Sequence, residues 1–164
     1  MNEPKSNILP PEIYAEIDRW MTRYPADQKR SAVMEALRIV QEYNDNWLTT
    51  DLMDAIADHL DMSHVAVYEV VSFYTMYNVK PVGRHTINIC TNISCMLRDC
   101  DKIVDHLKKK LCIEPTQTTP DGRFTLREVE CLAACVAAPV MQIGKQYYDH
   151  LTPEKVDTIL KELE

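Results

Sequence analysis

The pattern of apolar and polar positions changes character about halfway along the chain. In the first half the apolar residues recur at helical spacing. Ile13, Ile17, Trp20, Met21 and Tyr24 share one face, after Pro10 and Pro11, which suit a first turn, and before Pro25, which ends it. A second helix is predicted from about Asp27 to Tyr43, with Val33, Ala36, Leu37 and Val40 on one side and Asn44-Asp45-Asn46 as its break. Thr49 or Thr50 can cap a third, carrying Leu52, Ile56 and Leu60, and Ser63 can cap a fourth that runs to about Tyr77. The fourth segment is rich in β-branched and aromatic residues, which favour strands. Its length and lack of clean alternation favour helix, and its all-round apolar surface predicts burial on several sides. One of those sides is free to meet the cysteine-bearing half or a partner protein.

After Pro81-Val82-Gly83 the pattern becomes mixed. Thr86-Ile87-Asn88-Ile89 alternates like a strand and leads straight into Cys90. Met96, Cys100, Ile103, Val104, Leu107 and Leu111 mark one face of a helix predicted from about Ser94 to Leu111. Thr119-Pro120-Asp121-Gly122 is a turn, because Pro sets φ and Gly supplies a positive φ. Phe124 to Leu126 begins a strand. Val140 to Ile143 and Gln146 to Tyr148 read as two more, joined at Gly144-Lys145. Thr152-Pro153-Glu154 opens a last helix with Val156, Ile159, Leu160 and Leu163 as its stripe. The expectation is an α+β chain. A helical domain over 1–80 precedes a small sheet flanked by helices over 81–164.

Composition narrows the function. The 164 residues, 46% apolar and 26% charged, suit a folded soluble chain, and no apolar run approaches the roughly 20 residues that span a bilayer. The opening Met1-Asn2-Glu3-Pro4-Lys5-Ser6 lacks a signal pattern, so a cytoplasmic location is expected. A net charge of −7 argues against nucleic acid. With three glycines, no G-x-G-x-x-G and no phosphate loop, the chain is not expected to hold NADH or a flavin itself.

Candidate chemistry sits in the cysteines. Cys90 and Cys95 form C-x4-C, and Cys131 and Cys135 form C-x3-C. Four thiols in two close pairs suit a soft metal centre, because thiolates favour iron–sulfur clusters, zinc or copper(I). A plant-type ferredoxin would need a third cysteine where Arg98 stands, a Rieske centre would need adjacent histidines, and a dithiol redox enzyme would want C-x-x-C. Zinc is not excluded by the spacing, so a zinc-stabilised interaction module stays open. Cys100 falls on the apolar stripe of its helix and Cys112 follows Leu111, so both are expected as buried thiols without a ligand role. Asn92 and Ser94 are expected to bond cluster sulfurs or the loop backbone.

The two pairs, with Met96-Leu97-Arg98 after the first and Ala138-Pro139-Val140-Met141 after the second, resemble the thioredoxin-like [2Fe–2S] ferredoxin family of E-type subunits of NADH:quinone oxidoreductase. The resemblance runs over nearly the whole chain. It implies a thioredoxin-like domain behind a helical one, and one [2Fe–2S] cluster held by Cys90, Cys95, Cys131 and Cys135. It also implies a partner flavoprotein carrying FMN and an NADH site, and other peripheral-arm subunits on the cytoplasmic face of a membrane reached only through the complex. NAD-reducing hydrogenases and NAD-linked formate dehydrogenases use related subunits. The chain departs from the family pattern at two points. Ala133 stands where glycine is usual between the second pair, and Asp99-Cys100 where a glycine is often found after the first. Ala133 is expected to tighten its loop.

Overall fold

A computed structural model describes residues 8–163. The chain divides into two compact units, the boundary falling between Pro81 and Val82.

The first unit is all helix: α1 (Pro11–Met21), α2 (Val33–Tyr43), α3 (Thr50–His59) and α4 (His64–Phe73). Thr49 caps α3 by accepting the Leu52 N–H at 3.2 Å, and Ser63 caps α4 by accepting the Ala66 N–H at 3.3 Å, each satisfying a helix-end donor that has no partner inside the helix. Ile17, Leu37, Val40, Leu48, Ile56 and Val67 fill the core. Two expectations are corrected. Residues Lys29–Ala32 form a tighter 3₁₀ turn, so α2 starts at Val33 and not near Asp27. α4 stops at Phe73, where Tyr74 turns to extended backbone, and it buries only Val67 and Val71. The i, i+4 pair is the face that meets the other helices. Val65, Phe73, Met76 and Val79 stay exposed because no element of this unit reaches them.

The second unit carries a four-stranded sheet in the order β2-β1-β3-β4. β1 (His85–Cys90) runs parallel to β2 (Phe124–Val129), β3 (Met141–Ile143) is antiparallel to β1, and β4 (Gln146–Tyr148) closes a hairpin with β3. Gly144 turns that hairpin at φ +59°. Ile87, Ile89, Leu126 and Met141 on one sheet face bury against Ile103 and Leu107 of α6 (Cys100–Leu111) and Val156 and Leu160 of α7 (Pro153–Glu162). The helix expected from Ser94 to Leu111 is two helices, α5 (Ile93–Met96) and α6, separated by Asp99 in the left-handed region at φ +63°. Helical periodicity continues through the break, so the pattern alone reads it as one element. Gly83 lies flat on the start of β2. A Cβ there would come within 2.7 Å of the Phe124 carbonyl carbon, and its N–H donates to the buried Thr125 Oγ1 at 2.6 Å.

Candidate metal centre

The parallel pairing of β1 and β2 builds the site. Cys90 ends β1 in register with Val129 at the end of β2, so the two cysteine loops leave the sheet side by side. Thr91 N–H donates to Val129 O at 3.2 Å and the Cys90 thiol donates to Glu130 O at 3.8 Å, tying the first loop to the second. Asn92 caps the single turn of α5 by accepting the Ile93 N–H at 2.7 Å, which bears out its backbone role. Cys95 lies within that turn, 3% exposed.

Cys90, Cys95, Cys100 and Ala138 form one small buried cluster with Leu132 against it. Burial pushes the Cys95 thiol up, and its hydrogen bond with Cys90 adds to this. The Val140 N–H, aimed at the same sulfur, pulls the other way, and Cys135 reaches Cys95 electrostatically. Val140 also accepts the Cys90 N–H at 3.1 Å, so one residue braces both members of the first pair. Cys131 and Cys135 are exposed, in a loop that carries the small residues Ala133, Ala134, Ala137 and Ala138. Ala133 donates its N–H to Cys131 Sγ at 3.3 Å. The Ala133 N–H thus points at a thiol sulfur, an arrangement that stabilises negative charge there.

These residues fit a [2Fe–2S] cluster. The donor set is thiol alone, one pair seated in the core and the other at the surface. Among the described residues no three His, Cys, Asp or Glu side chains converge on one point.

Cys100 is fully buried and its thiol is pushed up to about 11, by burial first and by Asp101 next, so it is a neutral thiol at neutral pH. Its burial agrees with the expected core role. Cys112 does not: it is exposed, at φ +54°, where it terminates α6 in a left-handed conformation. Its neighbour Leu111 suggested burial, but the chain reverses hand at Cys112 and turns the side chain outward. The Val140 amide and the Glu130 carbonyl were not foreseen. Backbone groups carry no residue-type signal, and only the strand register brings them to the sulfurs.

The chain belongs to the thioredoxin-like [2Fe–2S] ferredoxin family, whose model matches residues 17–164. Among its relatives, the E-type subunit of the NADH-quinone oxidoreductase of Rickettsia bellii is 45% identical over 141 residues, 86% of this chain and 84% of that protein. The second of the E-type subunits of the NADH-quinone oxidoreductase of Rhizobium meliloti is 41% identical over 146 residues, 89% of this chain and 85% of the relative. The fold is shared with a crystal structure of an NAD+-reducing [NiFe]-hydrogenase in the H2-reduced state, at a TM-score of 0.70 and 18% identity over 80% of this chain. The likeness spans 22% of that hydrogenase chain and speaks to fold alone.

Proposed function

We propose that this chain is the E-type electron-transfer subunit of an NADH:quinone oxidoreductase, with Cys90, Cys95, Cys131 and Cys135 as the ligands of one [2Fe–2S] cluster. The observation that carries this is the meeting of the two cysteine loops at the ends of β1 and β2, where the Cys90 thiol bonds Glu130 O and a backbone N–H points at Cys131. Such a cluster, when bound, supplies reversible one-electron exchange. The chain supplies the rest. Cys90 and Cys95 anchor the inner side in a dry pocket, the Val140 and Ala133 N–H groups offset negative charge on sulfur, and Cys131 and Cys135 leave the outer side within reach of a redox partner. The cysteine loops also expose Ile93, Met96, Leu97 and Val136, an apolar rim suited to contact with another protein of the complex. In this reading the partner is the flavoprotein that carries FMN and the NADH site, within the peripheral arm on the cytoplasmic face. Residues 1–80 act as a helical domain and 81–164 as the cluster domain. No helix among the described residues is long and apolar enough to cross a membrane, so attachment runs through other subunits.

Iron and sulfide analysis with low-temperature electron paramagnetic resonance tests this, on protein purified without oxygen and reduced by dithionite. About two irons and two sulfides per chain are expected, with a one-spin signal appearing only on reduction. Serine at any one of the four ligands loses or strongly perturbs the signal, while Cys100→Ser keeps it. Zinc without iron, in a sample shown not to have lost iron, refutes the reading.

A further inference from the structure

The two faces of the sheet differ in what covers them. Strand register places Leu126, Ile87 and Ile143 in one row and Ile89, Met141 and Tyr148 in the next, and this is the face on which α6 and α7 pack. The alternate positions form the opposite face. Its middle row crosses all four strands as Arg127, Asn88, Gln142 and Tyr147. The first three are partly buried, and Tyr147 is 50% exposed.

Arg127 is the exceptional member. Other partly buried cations of this chain have acids beside them. Arg38, for example, is held between Glu35 and Glu42, each at 2.7 Å. The Arg127 guanidinium has no hydrogen bond or ion pair with any described residue. Only burial acts on it, and it pulls the guanidinium pKa down. A part-desolvated guanidinium with five unused donors is costly, and it becomes favourable when a carboxylate meets its fork. The row has the make-up of an interface centre, with Arg and Tyr flanking amides that donate and accept. One cation on a chain of net charge −7 does not suit a polyanion such as nucleic acid. It suits a single acidic side chain.

We infer that this sheet face docks the flavoprotein partner of the reading above, and that this partner places an Asp or Glu carboxylate on Arg127, with Asn88, Gln142 and Tyr147 making the surrounding contacts. This rests on the functional reading above. The row lies two residues along β1 and β2 from Cys90 and Val129, so it adds a charge-specific contact to the apolar rim of the cysteine loops.

The test uses the tagged full-length chain, expressed in cells that make the whole assembly. Arg127→Glu and Arg127→Gln are compared with Lys161→Glu, the same charge reversal at an exposed site at the end of α7. Flavin recovered per tagged chain reports assembly. Iron per chain and the cluster's midpoint potential report the site. Arg127→Glu is expected to lower flavin recovery about 10- to 100-fold. Arg127→Gln lowers it less, and Lys161→Glu leaves it unchanged, with iron content at the wild-type level throughout. If Arg127→Glu loses its cluster, the Gln variant decides. Wild-type recovery in both Arg127 variants overturns the docking surface and leaves the functional reading standing. A shifted potential with unchanged recovery also overturns it, because the charge would then serve the cluster. A wild-type chain that binds its cluster but recovers no flavin overturns the functional reading, and the docking surface with it.

Discussion

Ala133 sits between Cys131 and Cys135 at φ +55°, and its N–H reaches Cys131 Sγ at 3.3 Å. The left-handed backbone is what turns that N–H toward the sulfur, and it is a conformation that a Cβ opposes. The residue is exposed, so its methyl has little packing to recover the cost. Holding alanine in this region costs about 1 to 2 kcal/mol. Glycine removes that cost but gives back about 0.4 to 1 kcal/mol through a freer unfolded chain. The balance favours Ala133→Gly by roughly 0.5 to 1 kcal/mol, a factor of about 2 to 5 in the opening equilibrium of the loop. The assay is bleaching of the cluster's visible absorbance in excess iron chelator. Ala133→Gly is expected to bleach about 2 to 5 times more slowly, and Ala133→Val faster than wild type, since a β-branched side chain tolerates this φ still less. Bleaching of Ala133→Gly at or above the wild-type rate would refute the argument. The loop would then not open at the strained residue.

Three further outcomes follow from the geometry. Asp99→Gly, at φ +63° between α5 and α6, is expected to raise the thermal midpoint slightly, with a drop counting against strain there. Gly83→Ala forces a Cβ to within 2.7 Å of the Phe124 backbone and strains the bond to Thr125. It should cost about 2 to 4 kcal/mol in urea unfolding, and a midpoint equal to wild type would show that β2 yields freely. The pKa of His85 is held below the ordinary imidazole value, by burial first and by Arg84 and Arg123 next. The unfolded chain therefore takes up protons first as pH falls below about 6.5, so stability is full above that pH and declines toward the folded-state pKa. His85→Gln should flatten this decline between about pH 7.5 and pH 5, whereas parallel curves for the two proteins would assign the acid sensitivity elsewhere.

The two departures from the family's glycine pattern, Ala133 and Asp99, both occupy positive φ. The pattern could flag them as unusual residues, but only the dihedrals show what a glycine there would relieve. Helix starts at Thr49, Ser63 and Thr152 were legible for a similar local reason. A side-chain oxygen that can reach a free N–H three residues on is a property of neighbours in sequence. Where the outcome depended on distant packing, the residue pattern was silent. The apolar run of α4 gave no sign of which side would find a neighbour: Val67, Tyr68, Val70 and Val71 meet the helical core, and Val65 and Phe73 stay exposed. Cys112 beside Leu111 gave no sign that the chain would reverse hand there.

The sequence by itself determined the two-pair spacing of the cysteines and the division into a helix-only and a mixed half. These depend on residue type and on periodicities of a few residues, which need no fold to be read. Tertiary structure decided that the two cysteine loops leave the sheet side by side. Forty residues separate Cys90 from Glu130, and only the parallel register of β1 on β2 closes that distance. It also decided that the Ala133 amide meets the Cys131 sulfur, which cysteines lie buried or open, and that Arg127 stands on the sheet face opposite α6 and α7 with no ion pair to a described acid. Each of these is a relation between residues far apart in the chain, and such relations come into being only when the strands pair.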